Sequence, residues 1–358
     1  MHTRPIGGIR SRLMKIVSEL ALSGFILLLA LAQPVGGTEH SVDGDDRKSS
    51  DPIKVTVGMY VNDIQAIDLR THSYSVDFYL WFRWSDPEVD PIGSFEFMNP
   101  SDPKTHVKNV IFDEPQPQPD GSLYQIIRHQ GLFSSKFPVG PYPFDRQELS
   151  VVLEDAEQGA EALQYMADEK PLTLNPEIKL PGYRIEDARV VVRDKHYATA
   201  FGNLAEPDES AYSRVEFIVG VNRPVVSGMF KTLIPVLVII LCGALSLLLE
   251  PIHVGARVGL AATSLLTLVA LKFTMQRGLP EVAYLTLLDQ IYLTSFAYII
   301  AVIALHVITT RVDPRGDLPG SEGRFVQLFK DGRVLLSASV TGIYLLVILA
   351  VIGFNLRG

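Results

Sequence analysis

The chain has 358 residues, 47% of them hydrophobic, a formal net charge of −8 at pH 7 and a mean hydropathy of +0.20. It is too long for one small domain, and its acidic balance argues against nucleic acid as a partner, because phosphate binding needs a basic face. The single cysteine, Cys242, excludes an internal disulfide and argues against a cysteine metal site.

The first 32 residues have the pattern of a secretory signal. A basic lead-in precedes a short apolar run, which ends in the small-x-small sequence Ala30-Leu31-Ala32. An uncleaved anchor is the alternative. Residues 33–51 are rich in Gly, Ser, Asp and Lys and are predicted to form a flexible leader. The sequence that follows is therefore predicted to be exported.

Residues 52–224 have a sequence pattern typical of short β-strands. Apolar residues alternate with others in 55–61 and 76–82, and β-branched residues are concentrated in 190–193 and 215–221. Turns that contain proline or glycine separate these segments. Several short strands between such turns predict an all-β, immunoglobulin-like sandwich.

Four apolar segments follow within residues 225–358, each long enough to span a bilayer core. The predicted spans are 229–249, 255–276, 288–309 and 334–354. The linker 310–333 carries five basic residues, which the positive-inside rule places in the cytoplasm, so that the sandwich and the C-terminus lie outside. The predicted fold class is an α+β membrane protein, in which an extracellular all-β sandwich precedes a four-helix transmembrane domain.

The second span carries a stripe of residues at alternating steps of four and three, which places them on one face of a helix: Gly259, Thr263, Leu266, Ala270, Phe273 and Arg277. A face directed at lipid would not favour threonine or arginine, because charge in hydrocarbon is costly. The stripe predicts the lining of a water-filled pore, and a polar seam packed against neighbouring helices is the alternative. One helix cannot enclose water, so several copies must ring one axis.

A proline-rich loop carries the most specific signal. Tyr142-Pro143-Phe144-Asp145, followed by Gln147, resembles the signature loop of the pentameric ligand-gated ion channels, the Cys-loop receptor superfamily. Further landmarks follow the family's order: Trp84-Ser85-Asp86, Arg223, Pro235, Leu266 and Pro280. The two cysteines that bracket this loop in animal receptors are absent, and Ser135 and Leu149 stand near their places, which resembles the bacterial branch.

The resemblance implies a homopentamer in the bilayer of the inner membrane, opened by a small-molecule or proton agonist to pass inorganic ions. By analogy, coupling between the two domains involves Asp68, Tyr142, Pro143, Phe144, Asp145, Arg223 and Pro280. The implied agonist site lies between adjacent extracellular domains and includes Tyr79, Glu154, Asp155, Tyr197, Phe201 and Tyr212. Its acidic residues suit an amine, a divalent cation or protons. Tyrosines that merely pack against the sandwich are the alternative.

The pore is predicted to pass anions. Residues 255–259, at its cytoplasmic mouth, hold no acid and resemble the glycine and GABA receptor pores, while Arg277 and Lys272 add positive charge at the outer mouth. A cation-permeable channel is the alternative, with Arg257 directed away from the pore. A membrane-tethered sensor without a conducting pore also stays open. No catalytic residue, metal or cofactor is expected, because the sequence has no nucleophile elbow, HExxH or Gly-rich phosphate loop.

Overall fold

The computed structural model describes residues 51–202, 209–250, 252–312 and 325–355. The predicted signal (1–32), the predicted leader up to residue 50, and residues 313–324 of the predicted linker lie outside the described residues. A region of strands is followed by four long helices, which confirms the predicted fold class.

The described strands form two sheets that pack face to face. They are β1 (Ile53–Asp68), β2 (Ser73–Trp84), β3 (Phe95–Phe97), β4 (Val107–Val110), β5 (Gln116–Pro117), β6 (Leu123–Ser134), β7 (Arg146–Asp155), β8 (Leu163–Leu174), β9 (Arg184–Tyr197) and β10 (Ser210–Asn222). The first sheet has the order β4-β6-β2-β1-β8, with β5 paired to β6, and the second has the order β3-β7-β10-β9. Most neighbours are antiparallel, but β8 pairs with β1 in parallel.

The core of the sandwich follows from alternation along the strands. From Tyr74 onwards β2 alternates between buried and half-buried residues, and Phe78 and Phe82 are fully buried. Phe133 of β6 and Phe217 of β10 are also buried in this core. Burial of each such side chain contributes about 1.5–3 kcal/mol. This burial stabilises a sandwich that has no disulfide.

The four long helices are α1 (Val225–Leu248), α2 (Val254–Gln276), α3 (Leu287–Val312) and α4 (Phe325–Asn355). Each contains a stretch long and apolar enough to cross a membrane. All four begin before the predicted apolar spans, α2 and α3 by a single residue; α1 starts directly after Pro224, and α4 starts within the predicted linker. Hydropathy marks only the part of a helix that lies in hydrocarbon, and polar residues can continue a helix beyond it.

Helix α1 contains a π turn at Met229–Leu233, just before Pro235. Proline has no N–H to donate to the preceding turn, and a wider turn accommodates the missing hydrogen bond. The helices share a second apolar core, to which α1 contributes Ile240, α2 contributes Leu268 and α3 contributes Tyr292.

Candidate functional site

An ion pair between Asp145 and Arg223 lies where the sandwich meets α1. β7 and β10 are antiparallel with Arg146 opposite Asn222, so the residues just beyond this ladder face each other. Arg223 Nε donates to Asp145 Oδ1 over 2.9 Å, and the backbone N–H of Arg223 donates to the Asp145 carbonyl over 3.2 Å. Asp145 is fully buried, and Gln147 Nε2 donates to its second carboxylate oxygen over 2.7 Å.

Two tyrosine rings flank the Arg223 guanidinium. Its Cζ atom lies 5.1 Å from the ring centroid of Tyr142 and 4.6 Å from that of Tyr183, and Arg223 Nη2 donates to the Tyr183 hydroxyl over 2.6 Å. Burial lowers the pKa of Arg223, but the charge and hydrogen bond of Asp145 more than offset it, so the pKa is raised. Burial raises the pKa of Tyr183 to about 12. The Arg223 guanidinium is therefore permanently charged and lies against the rings of two tyrosines.

The tip of the proline-rich loop packs against the start of α1. A Cβ atom placed on Gly228 would lie 2.8 Å from the carbonyl oxygen of Pro143, so glycine is required for this approach. Tyr142 and Phe144, on either side of Pro143, pack against the apolar core of the helices. The loop thus reaches from the sandwich into the membrane domain.

The same loop contacts the connection between α2 and α3. The backbone N–H of Leu287, the first residue of α3, donates to the Gly140 carbonyl over 2.7 Å. The backbone N–H of Val139 donates to the Tyr284 hydroxyl over 3.3 Å. Pro280 is half-buried in this connection. Two hydrogen bonds, one between main-chain groups and one to a tyrosine hydroxyl, therefore join the loop to the segment that follows the predicted pore helix.

Asp68, predicted as a further coupling partner, lies at the end of β1. Its Oδ1 atom accepts hydrogen bonds from the backbone N–H groups of Arg70, over 2.8 Å, and Thr71, over 3.4 Å. The carboxylate caps its own turn, and the structure describes no contact between it and the Asp145–Arg223 pair.

The predicted pore stripe is uncovered within a single chain. All six of its residues are exposed, with the side chains of Leu266 and Phe273 at 70% and 65% exposure. The opposite face of α2 is buried among the other helices: Arg257, Ala261, Ser264 and Leu268. The exposed side also carries Thr267 and Thr274, whose hydroxyls donate to carbonyls of their own helix over 2.8 and 3.0 Å.

Two of the three cations near α2 do not lie on the stripe. Arg257 is only 2% exposed and sits on the buried face. Lys272 Nζ is 3.4 Å from Asp289 Oδ1 in α3, and Gln276 Nε2 donates to the same oxygen over 3.1 Å. Arg277 remains exposed at the outer end of the helix.

Three predicted ligand-binding aromatics meet at the β9–β10 hairpin. The ring centroids of Tyr197, Phe201 and Tyr212 are 5.3 to 6.4 Å apart, in edge-on arrangements. The Tyr197 hydroxyl donates to Glu154 Oε2 over 2.9 Å. Burial and this hydrogen bond raise the pKa of Tyr197. The structure therefore places a buried carboxylate against a partly exposed aromatic cluster.

Arg214 neutralises the carboxylate of Glu154. The sequence analysis did not predict Arg214 as a residue of this site. β7 and β10 place Arg214 directly opposite Glu154, and the two form an ion pair through Arg214 Nε. Arg214 Nη2 also donates to the Tyr197 hydroxyl over 2.9 Å. Residues two apart in a strand lie on the same face, so Arg214 shares a face of β10 with Tyr212. This spacing could have indicated from the sequence that Arg214 belongs to the cluster.

The other two predicted ligand residues lie apart from the hairpin cluster. Asp155 is buried and accepts hydrogen bonds from Ser94 Oγ over 2.5 Å and from the backbone N–H of Gln158 over 2.7 Å, so it shapes the turn after β7. Tyr79 lies on the first sheet, where its ring is 6.5 Å from that of Tyr60 and 5.6 Å from the guanidinium of Arg128.

Three known proteins are similar to this chain. A proton-gated ion channel of Gloeobacter violaceus is 21% identical over 305 residues, which is 80% of this chain and 82% of that protein. A glycine receptor subunit beta of Rattus norvegicus is 23% identical over 66% of this chain, and a gamma-aminobutyric acid receptor subunit beta of Lymnaea stagnalis is 23% identical over 51%. A search of protein-family models finds no match.

The first similarity is too long for either domain alone and must include part of both. These similarities support placing the chain in the family of pentameric ligand-gated ion channels. The chain spans only 51% and 35% of the glycine and gamma-aminobutyric acid receptor subunits. It is a multi-pass membrane protein, and its relatives form a family of non-enzymes. Among the described residues, no group of three or more His, Cys, Asp or Glu side chains is placed to hold a metal ion.

Proposed function

We propose that five copies of this chain surround a pore lined by the exposed stripe of α2, and that an agonist bound to the extracellular domains opens it. The observation that carries the proposal is the polarity of that stripe. Exposed residues of α1, such as Leu237, Val238 and Leu241, are apolar and suit lipid. The exposed side of α2 instead carries threonines, glycine and an arginine, which suit water.

The gate is assigned to Leu266, Ala270 and Phe273. An apolar constriction stops ions by excluding water, without contacting them. The large exposed side chains of Leu266 and Phe273 would meet their copies at a five-fold axis. The polar positions on either side of this band keep the rest of the stripe hydrated.

The agonist site is proposed between neighbouring extracellular domains. One subunit would contribute the aromatic hairpin cluster with Glu154, and its neighbour would contribute Tyr79. The agonist class follows the relatives, which are named for protons, glycine and gamma-aminobutyric acid. Because Glu154 is already paired with Arg214, the base of the cluster carries no net charge. A small polar molecule therefore suits it better than a simple cation.

Coupling is assigned to the loop tip, the Asp145–Arg223 pair and the α2–α3 connection that contains Pro280. The two hydrogen bonds between this connection and the loop give a direct mechanical link to the pore helix. The extracellular domain is proposed to lie in the periplasm and the channel in the inner membrane, as the basic linker favours.

We assign anion selectivity to the pore on two grounds. The α2 sequence contains no acidic residue, and Arg277 puts positive charge on the stripe. The buried position of Arg257 and the pairing of Lys272 with Asp289 favour the alternative, a cation-permeable channel, because they remove two positive charges from the pore lining.

The test uses purified full-length protein in planar bilayers. Protons, glycine, gamma-aminobutyric acid, other amines and calcium are applied in turn, with a KCl gradient across the bilayer. An evoked current that reverses near the chloride equilibrium potential supports the whole proposal. Reversal near the potassium potential overturns anion selectivity alone. A correctly assembled protein that conducts with none of these agents would favour a sensor without a pore.

A further inference from the structure

Two opposite charges lie inside membrane spans at the outer end of the helices. Lys272 belongs to the α2 span Val254–Gln276, and Asp289 belongs to the α3 span Leu287–Ile308. Lys272 Nζ is 3.4 Å from Asp289 Oδ1, and the two side chains are only 22% and 17% exposed. Ionisable residues within spans are costly and are concentrated where they serve a function, so this pair is a candidate for a functional role.

The Asp289 carboxylate is fixed at the start of α3. Its Oδ2 atom accepts from the hydroxyl of Thr286 over 2.8 Å and from the Thr286 backbone N–H over 3.3 Å. In return, the backbone N–H of Asp289 donates to the Thr286 hydroxyl over 3.2 Å, which completes a capping box. Thr286, Leu287 and Leu288 are all buried. The other carboxylate oxygen, Oδ1, is therefore presented to α2 from a firmly held position.

Helix α2 contacts this oxygen through two donors. Besides Lys272, Gln276 Nε2 donates to Asp289 Oδ1 over 3.1 Å. Lys272 and Gln276 are four residues apart, so they lie on one side of the helix. Each directly precedes a residue of the pore stripe, Phe273 and Arg277, which corresponds to a rotation of about 100°. The three residues Lys272, Gln276 and Asp289 thus form a contact beside the stripe, here called the flank clamp.

Apolar packing fixes the outer end of α2 less firmly than its middle. Ala261, Ser264 and Leu268 are buried among the other helices. Beyond Leu268, every residue of α2 is half-buried or exposed, and Leu271 and Met275 reach the apolar core only in part. The flank clamp is therefore well placed to fix the rotation of the last two turns of α2 about the helix axis.

We propose that Lys272 and Gln276 are positioning residues of the gate: through Asp289 they fix the rotation of the outer half of α2 and so direct Phe273 at the pore axis. The inference rests on the proposed function, in which Phe273 belongs to the apolar constriction. Release of the flank clamp lets this half of the helix rotate, which turns Phe273 away from the axis and shortens the constriction. A shorter apolar band is easier to wet, so loss of the clamp favours the open pore.

The variants weaken the flank clamp by degrees. Lys272→Met removes the charge and keeps an unbranched side chain, whereas Lys272→Arg keeps the charge and should preserve the wild-type behaviour. Gln276→Met removes one hydrogen bond and no charge, so it tests the same contact if Lys272→Met does not assemble. Lys231→Met is the matched control, because Lys231 is an exposed lysine of α1.

The first readout is thiol modification of the purified full-length protein, which requires no current. Cys242→Ser removes the sole cysteine. One cysteine is then introduced on the stripe, by Phe273→Cys, or on the opposite side of α2, by Met275→Cys. A small, uncharged, water-soluble thiosulfonate modifies it, and the mass of the intact chain gives the rate. With the flank clamp intact, Phe273→Cys should react faster than Met275→Cys.

Lys272→Met should lower the ratio of these two rates by about fivefold, and Gln276→Met should lower it by less, because its loss removes no charge. Lys272→Arg and Lys231→Met should leave the ratio unchanged. A merely structural pair would lower thermal stability without changing the ratio, and a wild-type ratio in Lys272→Met or, failing its assembly, in Gln276→Met would overturn the inference. Equal rates at the two positions with the clamp intact would instead count against the pore stripe of the proposed function.

The second readout is current in planar bilayers. Lys272→Met should raise the basal current or lower the agonist concentration needed for opening, and Lys272→Arg should change neither. Wild-type gating in Lys272→Met would also overturn the inference. A wild-type protein that conducts with no agent would count against the proposed function, and the modification ratio would still test the flank clamp.

Discussion

The carboxylate of Asp145 has no access to solvent; its charge is balanced by Arg223, and Gln147 donates a hydrogen bond to it. A buried charge that loses its partner costs about 3–5 kcal/mol, far more than the median exposed ion pair of 0–1 kcal/mol. The junction between the domains therefore depends on this pair more than on the exposed ion pairs of the second sheet.

Reversal of Asp145 is expected to abolish agonist-evoked current or assembly. Asp145→Arg leaves two buried cations together, whereas adding Arg223→Asp restores opposite charges and should recover part of the current. Glu216→Arg is the matched control, because Glu216 pairs with an Arg193 side chain that is 57% exposed, and its effect should be small. Current and assembly are measured for Asp145→Arg, Arg223→Asp, the double variant and Glu216→Arg. Additive effects of the two junction changes would argue against their contact.

His129 should make the stability of the β-sandwich sensitive to acid. His106 Nε2 lies 2.9 Å from the Leu132 carbonyl and must donate to it, so His106 Nδ1 is left to accept from His129 Nε2 over 2.9 Å. His129 Nδ1 then faces a buried site without a described partner. Burial, with His106 and Lys108 nearby, lowers the pKa of His129 from 6.5 to about 4.

The sign of the pH effect follows from this lowered pKa. The unfolded chain takes up a proton near pH 6.5 that the folded chain resists, so this contribution to stability is complete above pH 6.5 and is lost as pH falls towards about 4. Thermal unfolding measured across that window should decline less steeply in His129→Gln than in the wild type. His196→Gln, at an exposed histidine of β9, is the control. Equal slopes in both variants would refute the assignment.

Single residues differ in how far the sequence could indicate their partners. Asp145 and Arg223 could be paired in advance, because each flanks a recognisable segment and the family resemblance brings them together. Tyr183 and Arg214 could not, because their contacts depend on the register of β7 with β10 and on the path of the loop after β8. Those features are set by long-range packing, which local patterns do not contain.

At the scale of elements, α2 shows both the strength and the limit of helical periodicity. The alternating steps of four and three predicted one face, and that face is exposed. The same geometry also predicts the position of Arg257. Arg257 is two residues before Gly259, which is a rotation of about 200° around the helix and therefore the face opposite the stripe. Arg257 accordingly lies on the buried side. The anion prediction gave it a weight that its position in the helix does not support.

The gate prediction belongs to this helix. Leu266→Ser should make the closed constriction easier to wet, which raises basal current or lowers the agonist concentration needed for opening. Leu241→Ser, at a leucine of α1 that is also exposed but lies on an apolar face, should change neither by a comparable amount. Both are measured as currents in bilayers. Unchanged gating in Leu266→Ser would place the gate elsewhere in the pore.

The strands also differ in how well the sequence predicts them. β1 and β2 were visible as alternating runs, because one face of each is buried in the core. Between Glu154 and Asp168 the sequence has no sustained strand pattern and is equally compatible with a loop or a short helix, yet β8 starts at Leu163 and pairs in parallel with β1. Its first residues alternate only briefly before a run of charged and polar ones, so pairing with a strand about 110 residues away decides its conformation.

At the scale of the whole molecule, one chain leaves a polar face of α2 uncovered beside three apolar helices. Such a face is unfavourable in lipid and cannot enclose water by itself. Closed cyclic symmetry resolves both problems, because copies arranged around an axis turn the same face inward. The proline-rich loop and the Asp145–Arg223 pair then recur in every subunit, so that the coupling contacts are repeated around the ring.

Native mass spectrometry of the detergent-solubilised full-length protein tests this central claim most directly. The account predicts a single dominant species with five times the mass of the mature chain. A clean monomer or dimer under conditions that preserve the folded helices would contradict the pore assignment, because the exposed stripe of α2 would then have no copies with which to enclose water.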